Sequence, residues 1–278
     1  MSSFCHGGET QAVFAFAGIG KKEKSRVGGI GIFDFKKRII IALDVETKEK
    51  GLALVRELAD ARVFKVGLEL FTAEGPPLLR EIQALGKSVF LDLKLHDIPN
   101  TVAEAARISV RHGAFMMTIH ASGGQEMMAK AAEVARAESE KLGMLKPILL
   151  GVTVLTSLKG EELSAIGMIP DTAAQVLRLA ALAKKAGLDG VVCSAQEIEI
   201  VRKEVGPDFL IVTPGIRPAW AAAQDQKRIM TPAEAIRKGS DYLVVGRPIT
   251  QAASPREAFR KIVEELDAGK APHGKNGA

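Results

Sequence analysis

The sequence predicts a single-domain (β/α)8 barrel, of the TIM-barrel type, and three observations carry that expectation. Beyond residue 37 one unit recurs eight times: a short β-branched or aliphatic run, a polar turn, then a stretch with helical spacing. Most of the apolar runs are continuous rather than alternating, as strands of a parallel sheet covered by helices on both faces must be. At 278 residues the chain also has the length of one such barrel, which commonly fills about 250. An open doubly wound sheet is the alternative architecture.

Each unit can be read in order. The strand candidate RIIIALD (38–44) leads to a helix over Lys48–Asp60, opened by the capping hydroxyl of Thr47 ahead of Glu49. VFKVG (63–67) leads to a helix over Pro77–Leu85, and SVFLDLK (88–94) to one over Val102–His112. AFMMTIH (114–120) precedes the long helical stretch Gln125–Leu142, and PILLGVTVL (147–155) precedes Thr172–Ala186. GVVCS (190–194) is followed by Ala195–Glu204. After FLIVTP (209–214) comes a helix over Pro232–Lys238, its proline suited to the first helical position. YLVVGR (242–247) and a helix over Arg256–Leu266 close the series. The barrel domain is thus expected over residues 37–267, with a flexible Gly-rich extension at 1–36 and a flexible tail at 268–278.

Charge and composition exclude several functions. The net charge of +5 and the pI of 9.1 suggest a nucleic-acid ligand until the charges are located. Residues 1–38 hold seven Lys and Arg against three acids, and the tail adds Lys270 and Lys275, so the body is near neutral. Aromatics are only 5%, leaving few rings to stack on bases, and no nucleic-acid partner is expected of the body. The apolar stretch 12–20 is too short to span a bilayer and lacks the basic lead of a signal peptide, so no membrane partner is expected. Cys5 and Cys193 are far apart in a chain with ample core, which points to a reducing compartment, the cytoplasm by default, without a disulfide.

A barrel places its chemistry at the C-terminal ends of strands. Asp44, Lys65, Asp92 with Lys94, His120, Thr156, and Gly246 with Arg247 all fall at or just after such ends. In FLDLKLHDIPNTV (90–102), residues two apart share a strand face, so Asp92 and Lys94 point together towards the mouth, opposite Leu91, Leu93 and Leu95. Two readings fit that pair: a buried ion pair that fixes register, or a catalytic one. Lys65 and Asp44 on neighbouring strands favour the second, because alternating charges then converge on one mouth. VTPGIRP (212–218) and VVGRPIT (244–250) follow the seventh and eighth strands, where barrels often hold phosphate on backbone N–H groups and an Arg. The long connection between Pro214 and Pro232 reads as a lid with Arg217 and Gln226 as its polar contacts. No P-loop and no GxSxG occurs. A cation held by Asp92, Asp97 and His96 would have to compete with Lys94, so a metal-free site is expected.

These residues resemble the orotidine 5'-phosphate decarboxylase family over about 38–266, through IALD, FKVG, FLDLKLHDIPNTV, HASGG, GVTVLTS, TPGIRP, QDQKR and VVGRPI in that order. The D-x-K-x-x-D motif alone indicates only a wider superfamily; joined to DIPNTV and the phosphate signatures it is specific. The resemblance implies decarboxylation of orotidine 5'-phosphate to UMP in pyrimidine biosynthesis without a cofactor. It implies that Lys94 protonates C6, that Asp92 faces the substrate carboxylate, and that Lys65 and Asp97 complete the charge network. It places Asp44 and Lys65 on the ribose, Thr156 by the pyrimidine, and Arg217, Gln226, Gly246 and Arg247 on the phosphate. The whole run Asp92, Leu93, Lys94, Leu95, His96, Asp97, Ile98, Pro99, Asn100 and Thr101 is carried over as substrate-binding, with Asp97, Ile98 and Thr101 reaching across a homodimer interface. A magnesium-dependent relative acting on a sugar phosphate would carry a Glu where this chain has Lys65, and a non-catalytic phosphate sensor would not need the intact Asp92, Lys94 and Asp97 set.

Overall fold

The computed structural model describes residues 34–221 and 230–269. Its eight strands are all parallel and close in sequence order, with the last hydrogen-bonded to the first. They are β1 (Ile39–Ala42), β2 (Val63–Gly67), β3 (Ser88–Leu95), β4 (Met116–His120), β5 (Ile148–Val152), β6 (Gly190–Val192), β7 (Leu210–Thr213) and β8 (Tyr242–Val245). The open-sheet alternative is thereby excluded, because β1 pairs with both β2 and β8.

Helices clothe the outside. α1 (Lys48–Glu57) begins where the Thr47 hydroxyl accepts the Lys50 N–H, and α2 (Leu68–Glu74) follows β2 directly. Then come α3 (Pro77–Ala84), α4 (Pro99–Arg111), α5 (Gln125–Leu142), α6 (Gly160–Ala165), α7 (Thr172–Lys185), α8 (Ile198–Val205), α9 (Pro232–Arg237), α10 (Arg247–Thr250) and α11 (Pro255–Ala268). At α9 the Thr231 hydroxyl and the Glu234 carboxylate cap each other's backbone N–H groups, so two donors without helical partners are satisfied at once.

The alternation of each strand splits the apolar residues into two cores. Ile40, Val63, Phe90, Met116, Leu150, Val212, Tyr242 and Val244 point inward and fill the barrel's lower interior. Their neighbours Ile39, Ile41, Phe64, Val66, Leu91, Met117, Leu149, Val191, Ile211 and Leu243 point outward and pack under the helices. Above the inner layer, the next inward positions on three adjacent strands are polar: Lys65 on β2, Asp92 on β3 and Thr118 on β4. At the opposite end two carboxylates tie strands together. Asp189, just before β6, accepts the Leu149 N–H of β5 at 3.0 Å and pairs with Lys146, while Asp241, just before β8, accepts the Ile211 N–H of β7 at 2.8 Å and pairs with Arg202 at 2.6 Å.

The structure differs from the sequence-based boundaries in places. β5 ends at Val152 rather than residue 155, because Thr153 turns its N–H and hydroxyl onto the Val192 carbonyl. α4 starts at Pro99, three residues before the expected start. α2, α6 and α10 were not anticipated, nor was the short 3-10 turn Phe35–Lys37 that buries Phe35 beside the barrel. Among the described residues no helix is long and apolar enough to cross a membrane.

Candidate active site

The mouth at the C-terminal ends of the strands encloses a cavity of about 370 Å³. Along one side runs a row of alternating charges. Lys65 Nζ lies 3.0 Å from Asp44 Oδ1 and 3.5 Å from Asp92 Oδ2, and Lys94 Nζ lies 3.0 Å from the same Asp92 Oδ2. Four residues from three strand ends thus form the sequence Asp44, Lys65, Asp92, Lys94, each ammonium beside a carboxylate. Lys65 and Asp92 are almost wholly removed from water, whereas the Asp44 side chain is 60% exposed and that of Lys94 31%, so charge concentrates at the edge of the open space. Fixed charges in such a partly dry mouth act on a bound molecule far more strongly than they would in water.

Local backbone geometry aims the last of these. Lys94 has φ 52°, the only positive φ at a non-glycine among the described residues, and the β3–β4 register shifts between Leu91 and Leu95. This bulge turns Lys94 without disturbing the outward packing of Leu93 and Leu95 against the helix layer. Gly67, two residues beyond Lys65, leaves room for the ammonium: a Cβ there would fall 2.9 Å from Lys65 Nζ and 3.5 Å from Asp44 Oδ1.

Beyond Asp44 the wall continues into the loops after β8 and β7: Gly246 adjoins Ala42 and Asp44, and Arg247, Pro248, Pro214, Gly215, Ile216 and Arg217 line the same cavity. Gly215 holds φ 74°, a left-handed turn that favours glycine. Thr156, Val154 and Leu155 from the loop after β5, and Cys193 and Ser194 after β6, complete the wall. The Cys193 thiol is buried and pushed up to about 12, first by desolvation and then by the neighbouring Glu197 carboxylate, so it is a neutral wall group.

Of the residues singled out from sequence, Asp44, Lys65, Asp92, Lys94, Thr156, Arg217, Gly246 and Arg247 line this one cavity. Leu93 and Leu95 belong instead to the outer packing layer. His96 is exposed, its ring 5.4 Å from that of His120 beside a smaller hollow of about 200 Å³. Burial lowers the His120 pKa, and His96 and Lys94 push it further down against an opposing pull from Asp92. Asp97 turns its Oδ1 to its own Ile98 N–H at 2.7 Å, and Pro99, Asn100 and Thr101 form the first turn of α4, outside the cavity as one chain forms it. Gln226 and the rest of 222–229 in the expected lid lie outside the described residues. Sequence reasoning passed over Gly67, Thr118 and Ser194, although Gly67 and Thr118 share the inward strand faces of Lys65 and Met116, a periodicity that could have found them. Among the described residues no group of three or more His, Cys, Asp and Glu is placed to hold a metal ion.

Comparison with known proteins settles which barrel lineage this is. Residues 37–262 match the model of the orotidine 5'-phosphate decarboxylase / HUMPS family. The chain belongs to that family. The orotidine 5'-phosphate decarboxylase of Syntrophomonas wolfei is 51% identical over 238 residues, covering 84% of this chain and 98% of the relative. That of Moorella thermoacetica is 51% identical over 237 residues, covering 84% and 94%. The crystal structure of orotidine 5'-phosphate decarboxylase from Lactobacillus acidophilus superposes with a TM-score of 0.74 at 39% identity, covering 83% of this chain and 99% of that one. These three relatives are matched over 98%, 94% and 99% of their own lengths.

Proposed function

We propose that this chain decarboxylates orotidine 5'-phosphate to UMP, with Lys94 as the proton donor to C6. The observation that carries the reading is the row Asp44, Lys65, Asp92, Lys94 along the wall of a cavity that Arg217, Gly246 and Arg247 also line. A nucleoside monophosphate has a matching polarity: phosphate at one end, ribose hydroxyls between, and the reacting ring at the other. Arg217, Arg247 and the backbone around Gly246 suit the phosphate; Asp44 and Lys65 suit the ribose; Thr156 and its neighbours suit the ring.

The chemistry explains why an ammonium is needed. Breaking the bond between C6 and the carboxyl carbon releases CO2 and leaves an electron pair on C6, in an orbital lying in the ring plane. The ring π system cannot delocalise that pair, so stabilisation has to come from a charge already in position. Lys94 supplies it, then gives its proton to C6 and recovers one from water. At about 4 Å and an effective dielectric near 20, one such charge is worth roughly 4 kcal/mol, a large part of what one group contributes to a barrier. Asp92, 3.0 Å from the Lys94 ammonium, orients it, and in this reading faces the departing carboxylate. Binding energy from the phosphate end, remote from C6, holds the ring in register with Lys94.

In this reading the site is shared between two copies of the chain. Asp97, Ile98 and Thr101 are exposed beside the mouth, with Ile98 67% accessible, and a second copy would bring its Asp97 up to Lys94 to extend the row to a fifth charge. The reaction needs no electron acceptor and no carbonyl polarisation, so no cofactor takes part. Loss of orotidine 5'-phosphate absorbance with matching CO2 release, unchanged by excess chelator, is the expected result. Activity that vanishes with chelator and returns with magnesium would sink the metal-free chemistry, and turnover of a sugar phosphate in place of the nucleotide would sink the substrate assignment.

A further inference from the structure

We propose that Thr118 is a positioning residue that sets the geometry of the Asp92 and Lys94 pair, an inference that rests on the decarboxylase reading for its kinetic consequence. Thr118 stands on the inward face of β4, 1% exposed, behind the cavity wall rather than on it. Its hydroxyl oxygen accepts the Lys94 backbone N–H at 2.9 Å and its proton goes to Asp92 Oδ1 at 3.0 Å. The direction of both bonds is fixed by chemistry, because a backbone N–H only donates and a carboxylate only accepts.

Two consequences follow from that one hydroxyl. The bulge in β3 removes regular pairing between Leu91 and Leu95, and the Lys94 N–H set free there is taken up by Thr118, which pins Lys94 at its left-handed φ of 52°. Asp92 is also made asymmetric: Oδ1 is occupied by a neutral donor, and Oδ2 alone faces the ammonium groups of Lys65 and Lys94, at 3.5 Å and 3.0 Å. A carboxylate free to rotate would divide those ammonium groups between its oxygens and move Nζ of Lys94 away from a single position. Thr118 therefore acts on the reaction through the two charged groups, without touching substrate.

The test compares T118S, T118A and T118V with the wild type in kcat, KM, UMP affinity and thermal midpoint. Ser and Ala differ only by the oxygen, and Val is close to Thr in shape. T118A and T118V are expected to lower kcat by about 10- to 100-fold with KM and UMP affinity within about threefold, and T118S to recover kcat to within about threefold of wild type. Unchanged kcat in T118A and T118V, or an equal fall in T118S, would overturn the proposal. If Ala and Val both fail to fold while Ser folds, the hydroxyl serves strand pairing alone and the proposal also falls. A crystal structure of T118A gives a readout independent of turnover: the Lys94 φ is expected to relax and its Nζ to leave Asp92 Oδ2, and charges left in place would refute the idea. A wild-type chain that releases no CO2 would fail the decarboxylase reading instead, with this structural comparison still deciding Thr118.

Discussion

Lys94 joins an unfavourable backbone conformation to the position of greatest chemical demand. A non-glycine residue in the left-handed region costs about 1 kcal/mol or more, and such strain persists only where the surroundings over-determine it. Here the surroundings are the bulge and the Asp92 carboxylate 3.0 Å from its ammonium. Lys94→Ala is therefore expected to keep the fold and bind UMP within about tenfold of wild type, while turnover falls by at least about a thousandfold, since ammonium and proton are lost together. Single-turnover assays beside UMP titration calorimetry would check both halves, and near-native turnover would remove Lys94 from the mechanism. Cys193 gives the opposite kind of residue, near the chemistry but inert. Its thiol is pushed from 9.0 up to about 12, so the unfolded chain releases a proton at a pH where the folded chain holds it. Folded stability should then fall as pH rises through the window from 9 to 12, and C193A should lose less over that window. Peptide mapping after alkylation at pH 8 should find Cys193 unmodified until denaturant is added; ready labelling of the native protein would show that its surroundings are more open.

At the scale of elements, β2 and the start of α2 share one space-saving device. Gly67 has φ −94° and ψ −173°, an extended conformation open to any residue, so its importance is volume rather than backbone freedom. In Gly67→Ala the new methyl would sit 2.9 Å from Lys65 Nζ, which must swing away from Asp44 and Asp92. Because only the end of a flexible side chain has to move, the thermal midpoint should stay within about 2 °C. A misplaced charge of this kind should still lower kcat/KM on the order of a hundredfold. Unaltered kinetics in Gly67→Ala would mean that the Lys65 position is not critical. The same elements show what could be read beforehand. Strands with unbroken apolar runs, such as β1 and β8, announced themselves, and α5 was found at its observed bounds because eighteen residues sustain a clear period. α6 and α10, six and four residues long, are below the length at which a helix forms on its own; packing against neighbours makes them, and sequence periodicity carries little of that. Charged members of the site were legible because a Lys or Asp within a buried strand is conspicuous. Thr118 and Gly67 were not, since a small or hydroxylated residue in a strand has many structural uses.

For the whole molecule, one barrel supplies all of the proposed site except what the exposed stretch from Asp97 to Thr101 would give to a neighbour. Within its own chain Asp97 satisfies one oxygen with the Ile98 N–H and lies away from the cavity, while Lys94 has Asp92 as its carboxylate partner. If a second copy completes the site, Lys94 and Asp97 of each active centre come from different chains, and defects in them can be repaired by mixing. Lys94→Ala and Asp97→Ala homodimers should each be nearly inactive. In a mixed dimer, the Asp97→Ala chain contributes an intact Lys94 and the Lys94→Ala chain contributes an intact Asp97, so one of the two sites is whole. Random pairing makes about half of the dimers mixed, so co-expression should restore about a quarter of the wild-type activity per chain. Isolating the mixed species with two different affinity tags should raise that to about half. Equilibrium sedimentation should return twice the 29.6 kDa chain mass for wild type and variants alike. Mixtures no more active than their parents, or a wild type that sediments as a monomer while fully active, would place Asp97 outside the site and leave Asp92 as the sole carboxylate that holds Lys94.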